Sequence, residues 1–424
     1  MSLRRLPFLL PAGLALLLGV DAGLRLLGAP ALALPQRLPV VHGPLLVLGF
    51  IGTLVSLERA VALRRPAGYA APALLGAGGL LLVSPLPLRA GQLLLAAGGG
   101  ALVAVYVALW RRQRDDAVLV QELGAVLATG GAVLWLGGVP VPRLLPWLAG
   151  FVVLTIAGER LELARLQLQG PGGAAALLLV TSAAVTVSAV ASLLWPVVGF
   201  PLFGASLLVL VGWLAVHDVA RRTVHGTGLP RFVAACLLAG YAWLAVAGGT
   251  WLLAGLVLDG PAYDAAVHAV FLGFTLSMIM AHAPVILPAV LTVRVPYRPA
   301  MYAPALLLQA SLLVRALVGD AWGVDGARTV GGIGNAAAVL LFLGVVVWSA
   351  AGRREGSRRT ERGDSDLSGS AASTSSATSA PGTSPSPSSP APSACAPSAS
   401  SAAATSTRGT SATSPSTTTV GAGR

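Results

Sequence analysis

The stretch VHAVFLGFTLSMIMAHAPVILPAV, Val267 to Val290, is a continuous apolar run that is long enough to cross a bilayer. A transmembrane helix needs about 20 predominantly apolar residues. The only ionisable side chains in this run are two histidines, His268 and His282. Because a membrane interior penalises polar groups, both histidines are candidates for a functional site.

The rest of the chain has the same character. Of its 424 residues 55% are hydrophobic and only 10% are charged, whereas a soluble domain averages about 25% charged residues. We therefore predict an all-α, polytopic transmembrane helix bundle of about twelve spans. The predicted spans are 6–27, 39–63, 70–87, 90–110, 117–137, 144–166, 174–194, 198–217, 232–254, 264–290, 301–318 and 330–351.

The basic residues predict the orientation of these spans. The chain has a net charge of +12 and no lysine, and its arginines lie in short loops rather than in one basic stripe, so we expect a lipid bilayer and no nucleic acid as partner. The loops on the side of the N-terminus carry Arg64, Arg65, Arg111, Arg112, Arg114, Arg165, Arg221, Arg222, Arg231, Arg294, Arg298, Arg353 and Arg354. The opposite loops carry at most one arginine each. By the positive-inside rule this predicts a multi-pass protein of the cell (inner) membrane with both termini in the cytoplasm.

The two ends of the chain differ in character. Arg4 and Arg5 precede an apolar run as in a signal peptide, but Asp21 and Arg25 interrupt that run, so we predict an uncleaved first span. At the other end the composition changes to Ser, Thr, Ala and Pro. We predict a transmembrane domain over 1–352 and a disordered cytoplasmic tail over 353–424.

An internal repeat links three of the spans. GFIGTLVSLER, Gly49 to Arg59, matches GFVVLTIAGER, Gly150 to Arg160, in the pattern G-F-x7-E-R, at the ends of spans 2 and 6. Span 10 contains a third version, GFTLSMIMAH, in which His282 replaces the glutamate. The repeat every four spans, with one orientation, indicates internal duplication.

Two histidines are expected at one depth near the outer face. Spans 2 and 10 both run inward, with His42 and His268 near their outer starts. Either residue alone is explained as a polar group at the membrane interface. Together they indicate a cofactor, because two imidazoles facing each other across a helix bundle are the usual axial ligands of a membrane b-type haem.

A second polar group is expected near the inner face. His282 lies about 21 Å deeper than His268 along span 10, and His217, Glu58 and Glu159 lie at a similar depth. The two histidines could hold a metal ion, and the glutamates could contribute to a proton relay or a polar gate. Alternatively, Glu58 and Glu159 form ion pairs with the arginines that follow them and fix the helix ends.

The motifs resemble those of a known family. HGPLLVLGF at the start of span 2, HAVFLGFTLSMIMAHAP in span 10 and GLPRFVAACLLAGYAWLAVAG in span 9 are similar to the NnrS family of bacterial haem- and copper-containing membrane proteins linked to nitric oxide metabolism. More distantly, the chain resembles haem-copper oxidase subunit I, which also has twelve spans. This resemblance implies haem b with His42 and His268 as axial ligands, and nitric oxide or a redox protein as partner.

The sequence differs from these families at two places where their histidine ligands lie, and this bears on which cofactor we expect. Spans 6 and 7 lack the histidines of the oxidase copper centre, and span 2 opens with a single histidine where the NnrS family tends to have H-x-H. Both departures argue against copper and leave haem. The alternative function is a twelve-span secondary transporter of a small solute that uses an inner site of His282, Glu58 and Glu159. Transporters usually show two six-span halves, so the four-span repeat favours the haem protein.

Overall fold

The computed structural model describes residues 5–32, 37–164, 173–291 and 295–372. These residues contain no strand, and twelve of their helices are long and apolar enough to cross a membrane. We number these helices α1 (Pro7–Leu26), α2 (Leu38–Leu63), α3 (Pro66–Val83), α4 (Leu88–Gln113), α5 (Asp116–Leu136), α6 (Val141–Glu162), α7 (Ala176–Leu194), α8 (Pro196–His217), α9 (Gly228–Ala254), α10 (Gly260–Pro288), α11 (Pro299–Ala321) and α12 (Gly326–Ala351). The predicted all-α membrane bundle is confirmed, and each helix matches one predicted span.

The chain divides into two units, Met1–Arg362 and Gly363–Arg424. The first unit contains all twelve membrane helices. In the second unit, residues 363–372 are helical. Residues 353–362 of the predicted tail, in the first unit, are helical as well, and residues 373–424 lie outside the described residues.

Local sequence explains where several helices begin and end. The Asp115 carboxylate accepts a hydrogen bond from the backbone N–H of Ala117 at 2.8 Å and thereby caps the start of α5. Helices α2 and α4 end at Arg64 and Arg114, whose φ angles of 56° and 52° are left-handed and stop the helical hydrogen bonding. Short connections follow, so consecutive helices run in opposite directions. We call the end of the bundle with the arginine-rich loops the basic end, and the other the distal end.

Small residues bring the helices into close contact. A Cβ atom on Gly79 of α3 would lie 3.0 Å from the Cα of Gly49 of α2, so the two backbones touch. In the same way, a Cβ on Gly204 of α8 would lie 2.5 Å from the carbonyl oxygen of Gly248 of α9. Large apolar side chains such as Leu253 remain exposed on the outer surface of the bundle. Both features are typical of helix packing in lipid.

Within the described ranges, three helices contain a π-helical segment, which is a wider turn that accommodates an extra residue. The segments are Leu45–Gly52 in α2, Ala269–Leu276 in α10 and Val314–Ala321 in α11. In α2 and α10 the segment contains the sequence Leu-Gly-Phe in the same register, with its glycine, Gly49 or Gly273, at the fifth position. Such segments occur frequently at functional sites. Those of α2 and α10 lie near the middle of their helices, and that of α11 lies at the distal end.

Helices α2 and α10 are in contact over only part of their length. Near the basic end, Thr53–Leu63 of α2 packs against Ser277–Leu291 of α10. The halves that carry His42 and His268 make no contact of similar extent among the described residues. The two helices therefore pack together more closely near the basic end.

Candidate functional sites at the two ends of the bundle

His42 is held by the first helix. Its Nδ1 lies 2.8 Å from the carbonyl oxygen of Gly19 in α1. A carbonyl can only accept a hydrogen bond, so Nδ1 carries the proton and Nε2 has a lone pair. Nε2 has no hydrogen-bond partner among the described residues. The ring packs beside Gly23, where a Cβ atom would lie 3.1 Å from its Cε1.

His268 has the same arrangement on α10. Its Nδ1 lies 2.8 Å from the carbonyl oxygen of Asp264, one turn earlier, and 3.3 Å from the Asp264 carboxylate. This carboxylate accepts two hydrogen bonds from Arg315 of α11, at 2.8 and 2.7 Å. Arg315 thus fixes Asp264, and Asp264 fixes the imidazole. The Nε2 atom of His268 also lacks a hydrogen-bond partner in the described part of the chain.

The structure brings the predicted outer pair together. His268 and Arg315 both lie close enough to His42 to interact with it electrostatically. We call His42, His268, Asp264 and Arg315 the distal site. It presents two imidazoles, each oriented through Nδ1 and each with an Nε2 that lacks a hydrogen-bond partner among the described residues. This arrangement suits metal binding, because a metal-ligating histidine usually donates its other ring N–H to a carbonyl or carboxylate.

The predicted inner group also assembles, around Arg59. The Arg59 guanidinium donates to Glu58 at 2.6 Å and to the side-chain oxygen of Gln121 at 3.3 Å, and it lies 3.9 Å from the Glu159 carboxylate. The predicted pairing of Glu58 with its neighbouring arginine is confirmed. Glu159 lies within ion-pair distance of Arg59 of the other repeat, rather than of Arg160, which follows it in the sequence. We call Glu58, Arg59, Glu159, Arg160 and His282 the basic-end cluster.

His282 is bound by Arg160. The Nδ1 of His282 lies 2.6 Å from the carbonyl oxygen of Met278 and must donate to it. Its Nε2 therefore accepts a hydrogen bond, which comes from Nη2 of Arg160. A metal ion at Nε2 would have to displace this guanidinium, so the geometry favours a hydrogen-bonding role for His282.

His217 has different neighbours. Its Nδ1 bonds to the Trp213 carbonyl oxygen at 2.9 Å, and its ring stacks on the Trp213 ring with centroids 4.8 Å apart. The adjacent Asp218 accepts a hydrogen bond from the Tyr241 hydroxyl at 2.5 Å. Within the described ranges, no group of three or more His, Cys, Asp or Glu side chains is placed to hold a metal ion. The prediction of a metal at His282 and His217 gains no support from this geometry.

Sequence reasoning did not identify three residues that complete these sites. Asp264 and Arg315 orient His268, while Tyr241 lies beside the basic-end cluster and donates a hydrogen bond to Asp218. For Arg315 a signal was available, because a charged residue inside a predicted span is a candidate for function. Asp264 precedes His268 by one helical turn, where side chains meet.

Comparison with known proteins gives a family without an assigned function. No curated protein and no solved structure matches the chain. The model of one family, described as a domain of unknown function (DUF8744), matches residues 5–351 and so covers all twelve membrane helices. The chain belongs to the DUF8744 family.

Proposed function

We propose that this protein binds haem b between His42 and His268, as a membrane haem protein of the NnrS type. The observation that supports this proposal most is that the two imidazoles have the same hydrogen-bonding arrangement. Each donates its Nδ1 proton to a backbone carbonyl, and neither Nε2 has a hydrogen-bond partner among the described residues. The two helices pack less closely at that level than near the basic end. Two such imidazoles are the axial ligand set of a membrane b-type haem.

The surroundings of the two histidines also suit a flat macrocycle. Gly23 provides a surface without a side chain beside the His42 ring. The π-helical segments of α2 and α10 begin just after each histidine and widen the helix there. Arg315 supplies a cation at the same level, which could also attract the haem propionates.

A haem with two histidine ligands supplies one-electron transfer, because both axial positions of the iron are taken. The residues of this chain would hold and tune it. Gly19 and Asp264 orient the two rings through Nδ1, and the Asp264 carboxylate favours positive charge on the His268 side. Participation in a nitric oxide or redox stress response rests on the family resemblance and is part of the proposal.

The first prediction concerns haem content. We expect the full-length protein, purified in detergent from haem-replete cells, to contain about one haem b per chain, with reduced absorption bands typical of two axial histidines. His42→Ala and His268→Ala each remove one ligand and should lose nearly all of the haem while the protein stays in the membrane. The measurement is a pyridine haemochrome assay with oxidised and dithionite-reduced spectra.

His225→Ala is the matched control, because His225 lies in the loop between α8 and α9. It should keep the wild-type haem content. Full haem retention by both ligand variants would rule out the proposed ligands. A colourless wild-type protein would overturn haem binding itself and favour the transporter alternative.

A further inference from the structure

We propose a second binding site, at Arg160 and His282, for a small planar oxyanion such as a simple carboxylate. The site lies in the basic-end cluster, away from the distal site, and does not depend on haem. Three observations support it: the incomplete pairing of Arg160, the different pairing of Arg59 in the equivalent place, and a cavity at the basic end.

Arg160 is a buried cation with an incomplete set of partners. Its exposed fraction is 7%, and its one hydrogen-bond partner among the described residues is the imidazole of His282. Its Nε–H is buried and has no partner. Among the described residues no carboxylate lies within ion-pair distance of its guanidinium. A buried guanidinium in a membrane bundle normally has a counter-charge.

The internal repeat allows the partner of Arg160 to be compared with the partner of Arg59, the equivalent arginine of the first copy. Arg59 ends the first copy of G-F-x7-E-R and faces Glu159 of the second copy at 3.9 Å. Arg160 ends the second copy and faces His282, which stands at the glutamate position of the third copy. The same relation between copies therefore gives Arg59 a carboxylate and Arg160 a neutral imidazole. An external carboxylate would supply the group that the third copy lacks.

The chemistry of the two side chains selects the class of ligand. A guanidinium presents its N–H donors in a planar fork that matches carboxylates and other planar oxyanions. Nη2 of Arg160 is taken by His282, and its buried Nε–H on the same edge has no acceptor. An oxyanion would accept from this edge. His282 would then be free to rotate away or to take a proton.

A cavity opens at the basic end close to this site. It has a volume of about 330 Å³, and its lining includes Asp218, Arg221 and Arg222. Two arginines at the opening would raise the local concentration of anions. Asp218 also binds the Tyr241 hydroxyl, and Tyr241 lies within electrostatic range of Arg160. Asp218 lies within electrostatic range of His282 as well, so the cavity has one lining residue near the site.

The test is the melting temperature of the full-length purified protein in sodium formate. Sodium gluconate, whose anion is too large for a buried site, keeps the ionic strength constant. We expect a saturable rise in melting temperature with formate, because a ligand that binds only the folded state stabilises it. A rise that does not saturate, or an equal rise in gluconate alone, would overturn the proposal.

Two variants locate the effect. Arg160→Gln removes the cation, and His282→Glu places a carboxylate where the first two copies have one, so each should raise the half-saturating formate concentration by about tenfold or more. Arg111→Gln removes an exposed arginine at the same end and should leave the response unchanged. If Arg160→Gln does not fold, His282→Glu decides the question. An unchanged formate response in His282→Glu would overturn the proposal.

The outcome can be separated from that of the haem proposal. His42→Ala should lose haem and keep the formate response. If the protein binds haem but its melting temperature does not respond to formate, the oxyanion proposal is overturned and the haem proposal stands.

Discussion

Arg59 and Arg160 occupy equivalent positions in two copies of one motif, yet their surroundings differ. Arg59 has the Glu58 carboxylate at 2.6 Å and the Glu159 carboxylate at 3.9 Å. Arg160 has the imidazole of His282. The Coulomb attraction of an ion pair weakens as its distance grows, and Glu58 also accepts a charge-assisted hydrogen bond from Arg59. The two glutamates should therefore contribute unequally to stability.

We predict that Glu58→Gln destabilises the protein more than Glu159→Gln does. Loss of the close Glu58 partner leaves a buried guanidinium without its main counter-charge and should cost about 3 kcal/mol. Loss of the more distant Glu159 carboxylate should cost about 1 kcal/mol. Unfolding of the two variants in detergent, followed by tryptophan fluorescence, compares them directly. Equal losses would show that Arg59 is shared evenly between the two carboxylates.

For individual residues, the sequence predicted the depth of each polar side chain in the membrane but not its hydrogen-bond partners. The helical rise placed His42 level with His268, and Glu58 and Glu159 near His282, and the structure groups them in that way. The pairing of Arg160 with His282 joins residues on different helices, far apart in the chain. It depends on the rotation of each helix about its axis, which apolar residues on all sides of a buried helix do not specify.

The helices themselves were predictable as elements, but their internal irregularities were not. Length and hydrophobicity identify a span, and all twelve were found. The π-helical segments of α2 and α10 lie within continuous apolar runs whose composition does not distinguish them, and the segment of α11 contains two charged residues and extends past the predicted end of its span at residue 318. The segment of α2 lies at a close contact with α3. The two backbones meet there at Gly49 and Gly79.

Enlarging a side chain at this contact should separate α2 from α3. We predict that Gly79→Val destabilises the protein by about 2–3 kcal/mol, because the new atoms would meet the α2 backbone rather than a movable side chain. Gly100→Ala in α4 is the control, since no atom lies within 4 Å of a Cβ placed there. It should be neutral or slightly stabilising. Thermal unfolding in detergent measures both, and a tolerated Gly79→Val would mean that α2 can shift freely.

The whole molecule is a polytopic helix bundle, and the alternation of its arginines predicts which end faces the cytoplasm. That orientation can be tested by cysteine labelling in a background with Cys236 and Cys395 replaced by serine. Gly226→Cys lies at the basic end and Gly323→Cys at the distal end. We predict that a membrane-impermeant maleimide added to intact cells labels Gly323→Cys and not Gly226→Cys. The reverse pattern would invert the topology.

The shared register of two π-helical segments has a consequence for the ancestry of the chain. The segments of α2 and α10 occupy the same eight positions of the repeat, whereas α6 is regular around Gly150. A π-helical segment that was present in a four-helix ancestor and lost in α6 would explain the shared register of α2 and α10. The histidines do not share a register, because His42 lies seven residues before Gly49 and His268 five residues before Gly273. If the repeat comes from a duplication, the two imidazoles were acquired after it, on a helix shape older than they are.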